Sequence, residues 1–220
     1  MLDTFRDLLP ELATALGQTL TMLGIGLAAA VLAGGPLGIL LYQAGHEPPG
    51  RLRLLGVALG WAVNTVRSFP FIVLLVALVP FTRLLTGSSI GPLAAAVPLS
   101  VAAIPYFARL VEQTLAEVPQ GVIEAAQAMG ASKLQIVTRV LLVEARSGLV
   151  LALTVLAISF LSYSAVAGVV GGGGIGDLAI RYGYYRFETG VMVLTVSVLV
   201  VLVATIQLTG ARLARRLDKR

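Results

Sequence analysis

Residues 12–45 read LATALGQTLTMLGIGLAAAVLAGGPLGILLYQAG and contain no Asp, Glu, Lys or Arg. The hydrocarbon core of a bilayer is ~30 Å thick and a helix rises ~1.5 Å per residue, so ~20 mostly apolar residues cross it. This run is long enough, and a helix of that length in water would need a polar face that it lacks. Four more stretches pass the same test. Leu54 to Thr82 carries a single charge, Arg67, while Leu84 to Ala108, Ser147 to Gly176 and Thr189 to Ala211 carry none. The expected architecture is an all-α polytopic membrane protein. Its five transmembrane helices fall at about 16–42, 55–82, 92–112, 148–170 and 189–211, in a single domain of residues 1–220.

Composition points the same way. The chain is 57% apolar and 12% charged, with a mean hydropathy of +0.93, whereas a soluble domain carries about 25% charged residues. There is no cysteine, which excludes a disulfide scaffold, a thiolate metal site and a thiol nucleophile. The single histidine, His46, excludes a site needing two imidazoles and reads as a solvated loop residue beside Glu47. The net charge of +5 is spread between apolar runs, so it reports topology, and no nucleic-acid partner is expected.

Lys and Arg concentrate on the cytoplasmic side of membrane proteins. With the N-terminus outside, the inner segments hold Arg51, Arg53, Arg109, Lys133, Arg139 and Arg146, then the tail Arg212, Arg215, Arg216, Lys219 and Arg220. The outer segments hold only Arg6, Arg83, Arg181 and Arg186. The start, MLDTFRDLLPEL, mixes Asp3 and Asp7 with Arg6 and is followed by too long an apolar run for a secretory signal. It reads as a short amphipathic helix on the outer surface, ending near Pro10. Five spans enclose little of a pathway, and an odd number cannot form two equal inverted repeats. A second copy is therefore expected. Small-residue pairs at Gly34/Gly38 and Gly56/Gly60 let helices approach closely, within one subunit or between two.

The segment of about 113–146 is the one long stretch with regularly spaced charge. Pro119 suits a helix start, QGVIEAAQAM (120–129) reads as a short helix, and Gly130 is suited to its end. Ser132 with Gln135 forms a capping box for a second helix over about 133–144. A DNA-reading helix-turn-helix does not fit. The acids Glu112, Glu117, Glu124 and Glu144 balance the bases, and membrane spans tether both ends.

Glu124-Ala125-Ala126, then Gly130, then Val140-Leu141-Leu142 resembles the EAA loop of ABC importer permeases, with Val143 where that pattern has a proline. The resemblance extends through Arg67 to Phe71, Pro80 to Arg83, Gly87 to Gly91, Ala125 to Val137, Ser162 to Ala165, the glycines of 171–176, and Tyr182 to Tyr184. Over nearly the whole chain it is similar to the methionine-import permease family. The resemblance implies a type I importer fold and a coupling role for Glu124, Ala125, Ala126, Met129, Gly130 and Lys133. It also implies two ATP-binding cassette ATPase subunits carrying ATP and Mg, an extracytoplasmic methionine-binding protein and a second copy of the chain. The expected place is the bacterial inner membrane. Import of another small amino acid or an osmolyte, or ATP-independent carriage, stays open at this stage.

The chain itself offers no phosphate-binding loop, because neither Lys133 nor Lys219 follows a glycine. No cofactor is therefore expected on it. Gly171, Gly173 and Gly176 match G-x-G-x-x-G, but a membrane span precedes them instead of a strand, so they read as an outer loop or a helix re-entry. No span holds a carboxylate of the kind ion-driven carriers place at midplane. Arg67 is the one charge within a span, a snorkelling arginine or a polar anchor near the inner gate, with Pro70 kinking the helix beside it. Candidate pathway or gate residues are Ser159, Ser162, Tyr163, Ser164 and Val166 in the fourth span, although the same polar groups serve equally for hydrogen bonds between helices.

Overall fold

The computed structural model describes residues 2–46 and 48–218, so Glu47, Lys219, Arg220 and the side chains of Asp3, Arg6 and Asp7 lie outside the described residues. Every regular element among the described residues is helical. The reason is the solvent: no water reaches the hydrocarbon to bond an exposed N–H or C=O, and a helix bonds its backbone to itself. Among the described residues four stretches are long and apolar enough to cross a membrane: Leu8–His46, Pro92–Ala116, Arg146–Gly172 and Thr189–Leu217.

The second expected span is different. It is divided into α3 (Arg51–Ser68), α4 (Phe71–Ala77) and α5 (Val79–Thr86), counting α1 as Leu2–Ala29 and α2 as Gly35–His46. The axes of α3 and α4 meet at 101°, so Pro70 breaks the helix instead of kinking it. Proline lacks an N–H and forces the residue before it out of helical geometry. Pro70 itself is extended (φ −55°, ψ 133°) and opens α4. Its carbonyl accepts from Val73 N–H at 2.9 Å and Leu74 N–H at 3.1 Å. With α4 counted as the end of α3, the spans number up to five.

The N-terminal stretch also differs from the expected short helix. Pro10 lies inside α1, which continues through a wide π turn at Ala30–Gly34 into α2. A proline in a helix removes one hydrogen bond, at about 3 kcal/mol. The apolar face beyond it offsets that cost.

The chain divides into two compact units. One comprises residues 1–29, 69–103 and 157–206. Here Ala15 of α1 packs against Ile175 and Leu178, with Leu12, Leu16, Val198 and Leu199 around them. Ile175 and Leu178 belong to a short helix, Gly174–Leu178, that follows the glycine break. Side chains of α1 cap it across a long gap in sequence. Gly174 N–H donates to Gln18 Oε1 at 2.7 Å and Ile175 N–H to Thr19 Oγ1 at 3.0 Å.

The other unit comprises residues 30–68, 104–156 and 207–220. Gly34 and Gly38 lie against the backbone of the helix Pro92–Ala116, at Ile104 and Ala108. A side-chain carbon on Gly38 would collide with the Ala108 carbonyl and with Val111. Leu41, Val63 and Ala108 form the buried cluster beside this contact, and Gly56 faces Ala44. These three glycines thus serve packing within the subunit, and Gly60 has open space around it. Gly38→Ala should lower stability by about 1–3 kcal/mol through overpacking. Gly60→Ala should leave it level or raise it by up to about 1 kcal/mol, since glycine is the poorer helix former. Thermal unfolding in detergent checks both, and equal effects would contradict the assignment.

Candidate functional site

The segment between the helices Pro92–Ala116 and Arg146–Ala167 folds as a tight hairpin. Its first arm is Gln120–Ala128, opened by an extended Pro119 (φ −59°, ψ 130°). The turn follows at once. Gly130 takes φ +78°, a conformation costing other residues about 1–2 kcal/mol. Gly130 N–H donates to Gln127 O at 2.9 Å and Ala131 N–H to Ala126 O at 3.1 Å, which is the Schellman pair that closes a helix end. Ser132 then starts the second arm with the expected capping box. Gln135 N–H donates to Ser132 Oγ at 3.3 Å, and Ser132 N–H to Gln135 Oε1 at 2.8 Å. The arm continues through a π turn at Ile136–Leu141 to Glu144. Val143, where the importer pattern has proline, lies in the last turn of this arm, which ends at Glu144 before a bend at Ala145.

Burial sorts the hairpin into faces. Ala126, Ile136, Val137 and Leu141 are buried and anchor it. At the turn Met129 is 82% exposed and Leu134 72%, with Ala125 exposed beside them. Two large apolar side chains held outward on a doubly capped turn are what a partner surface requires. Glu124 and Lys133 do not share this tip. Both line a cavity of ≈420 Å³ beside the end of α2.

The gate candidates are dispersed. Tyr163 is half-buried and stacks on Phe71, ring centres 4.7 Å apart and 3° from parallel, while Phe160 meets it edge-on at 5.0 Å. Ser164 is buried and donates to Leu161 O at 2.7 Å, a bond within its own helix instead of across to a neighbour. Ser162 is exposed, and Ser159 and Val166 are half-buried. Arg67 sits in the last turn of α3, just before the break at Pro70. There a cation opposes the negative end of the helix dipole, and its guanidinium lies 5.4 Å from the Tyr106 ring centre. Nearby, Arg109 pairs with Glu112 at 2.5 Å and donates to Asn64 Oδ1 at 3.2 Å. Pro70 begins the break described above.

Two features had no local signal. Phe71 became part of an aromatic stack only because the chain breaks at Pro70. Gln18 and Thr19 look like ordinary polar residues in an apolar run, and their partners lie 156 residues away. In the same unit Tyr182 donates to Glu11 at 3.0 Å, and this bond to a carboxylate holds its phenol above the ordinary tyrosine value. The G-x-G-x-x-G match is structural: no strand precedes it among the described residues, and its glycines carry a break between two helices.

Membrane-length helices, with a doubly capped hairpin between two of them, are the elements of a polytopic permease of the type I ABC transporter fold. Residues 34–220 match the family described as binding-protein-dependent transport system inner membrane components, and the chain belongs to that family. It is 49% identical to the probable D-methionine transport system permease protein of Vibrio cholerae, over 95% of this chain and 93% of that one. Its identity to the corresponding protein of Pasteurella multocida is 43%, over 92% and 94%. A chain of a methionine ABC transporter solved in inward-facing conformations superposes with a TM-score of 0.91 at 42% identity, covering 97% of this chain and 99% of the other. An amino acid ABC transporter at 18% identity and a TM-score of 0.80 shares the fold.

Ser132→Ala should weaken the second arm by about 1 kcal/mol, or about fivefold in local opening. Hydrogen exchange over 133–136 should accelerate accordingly. Unchanged exchange would contradict the capping role.

Proposed function

We propose that this chain is the membrane-spanning subunit of an ATP-driven methionine importer, assembled as a homodimer with two ATP-binding cassette ATPases. The observation that carries this reading is the hairpin tip. Met129 and Leu134 are displayed on a rigid turn, in a chain 49% identical to a D-methionine permease over nearly its whole length. ATP and Mg belong to the ATPases, and an extracytoplasmic methionine-binding protein delivers the substrate. The hairpin and the basic tail face the cytoplasm and the N-terminus lies outside, in keeping with the arginine distribution.

In this reading ATP-driven closure of the ATPases displaces the two hairpins. Each is stiff because its turn is bonded on both sides, so a push on Ala125, Met129 or Gly130 moves the arms together and does not bend them. The second arm passes the motion to the helix Arg146–Ala167, which carries Ser159, Ser162, Tyr163, Ser164 and Val166. The stacked Tyr163 and Phe71 rings supply an apolar constriction, and hydroxyls on the same helix offer neutral hydrogen bonds to a zwitterion. Pro70, with Arg67 ending the helix before it, supplies the joint at which α4 can tilt. This is alternating access by rigid-body motion.

The test is ATP-dependent uptake of labelled methionine into proteoliposomes containing the chain, its ATPase and the binding protein. Gly130→Val places a β-branched residue at φ +78° and should reduce uptake about tenfold or more, since 1–2 kcal/mol is at stake. Uptake that needs no ATPase, or that ignores this substitution, would contradict the reading. A cysteine placed at Ser132 in this cysteine-free chain should react with an impermeant maleimide only from the cytoplasmic side.

A further inference from the structure

The break at Pro70 is closed on one side only. Pro70 O accepts two amides of α4. On the α3 side a helix would bond the Val66 carbonyl to the N–H of residue 70, and proline has none. The carbonyls of Val66, Arg67 and Ser68 accept no hydrogen bond among the described residues. The Ser68 hydroxyl donates instead to Thr65 O at 2.7 Å.

This open end lies at membrane depth. α3 has 18 residues and so runs about 27 Å, against ~30 Å of hydrocarbon. It starts at Arg51 and Arg53, which belong at a membrane surface, so its far end stops within or at the edge of the hydrocarbon. Three unbonded carbonyls facing lipid tails would each cost several kcal/mol. Non-helical backbone at that depth is tolerated where it lines water. Arg67 and Ser68 are exposed and Val66 half-buried, so the face is open in this subunit.

The Arg67 guanidinium is the second open group. It rests 5.4 Å from the Tyr106 ring centre, and no carboxylate pairs with it among the described residues. Contact with a ring face leaves the N–H donors on the guanidinium edge available. Arg109, one turn beyond Tyr106, is engaged differently: it pairs with Glu112 at 2.5 Å and donates to Asn64 Oδ1 at 3.2 Å. One arginine is thus bound up in packing, while the other is positioned by a ring and lacks an anion.

These groups discriminate among ligands. The guanidinium fork matches a carboxylate in two parallel bonds. A polyphosphate would need several cations and would meet the negative end of the α3 dipole. A simple cation would meet Arg67. A zwitterion brings an anionic group for the arginine and N–H donors for the open carbonyls.

We propose that Arg67 takes the carboxylate of the zwitterionic α-amino acid in transit, at a water-lined face formed by the end of α3, with the open carbonyls of Val66, Arg67 and Ser68 turned to its ammonium. The substrate's identity as methionine rests on the importer reading above. The water-lined, positively charged face does not.

The chain has no cysteine, so Ser68→Cys places its single thiol beside the open carbonyls. This variant, in complex with its ATPase in nanodiscs, is treated with two methanethiosulfonates, one bearing a sulfonate and one a trimethylammonium. Mass spectrometry follows the peptide containing position 68. The thiolate is the reactive form and needs water, so a water-lined face labels with both reagents. Adding Arg67→Gln should lower the sulfonate-to-ammonium rate ratio about fivefold, the effect of one unit charge ~8 Å away in water acting in opposite senses on the two reagents. Arg67→Lys should keep the ratio. Methionine should slow the labelling, and methioninol, which has the same thioether and ammonium but no carboxylate, should not. Protection by methionine should disappear with Arg67→Gln. Co-elution with the ATPase shows that the variants are folded. A thiol that neither reagent reaches, as when lipid tails or the second copy cover this face, overturns the proposal. So does a rate ratio indifferent to Arg67→Gln, an absence of protection by methionine, or equal protection by methioninol. ATP-dependent methionine uptake by the unsubstituted chain separates the two failures: uptake without protection sinks this inference alone, whereas absent uptake sinks the importer reading.

Discussion

A backbone in hydrocarbon has no solvent to bond, so every interruption of a helix must find its own partners. This constraint explains how the chain is built at each of its breaks. At Pro70 one carbonyl accepts from two amides of the helix it opens. At the glycine break the freed amides of Gly174 and Ile175 bond to Gln18 and Thr19, and Gly91 N–H bonds to Gly171 O at 2.9 Å. The Gly130 turn lies outside the spans, and there too the chain's own groups, a Schellman pair and a capping box, close the turn from both sides. A polar residue in an otherwise apolar run, such as Thr19 at 1% exposure, is therefore tied to a break elsewhere.

The same economy makes the hairpin a mechanical element. A loop with unbonded amides would absorb a push by bending, whereas this one has no slack at its tip. Its anchors, Ala126, Ile136, Val137 and Leu141, are buried, so displacement of the tip is transmitted to them. In the proposed reading the exposed Met129 and Leu134 are apolar surface for a partner to cover, presented without an entropy cost for ordering the turn.

Much of this was legible in the residues. Uncharged runs located four membrane-length helices because charge is excluded from hydrocarbon, although the first begins at Leu8 instead of about residue 16. Ser132, Gln135 and Gly130 announced the hairpin because caps and left-handed turns are local chemistry. Within the second span the sharpness of the break was not legible, because hydropathy has no direction. Leu54 to Thr82 is apolar throughout, and hydropathy does not distinguish a kink at Pro70 from a 101° turn. Pro10 was over-read in the opposite sense, as an end to a helix that runs on through it. Of the gate candidates, Tyr163 acquired its aromatic partner from a residue far away in sequence, and Ser164 turned out to bond its own helix. Pairings of that kind are settled by tertiary packing and leave no periodic trace.

The central claim is that motion enters this chain through its hairpin from an ATP-hydrolysing partner. The most direct measurement is to extract the tagged chain from its native membrane in mild detergent and determine stoichiometric partners by mass spectrometry. The account requires a P-loop ATPase at one copy per chain. Recovery of the intact, folded chain without such a partner would contradict it.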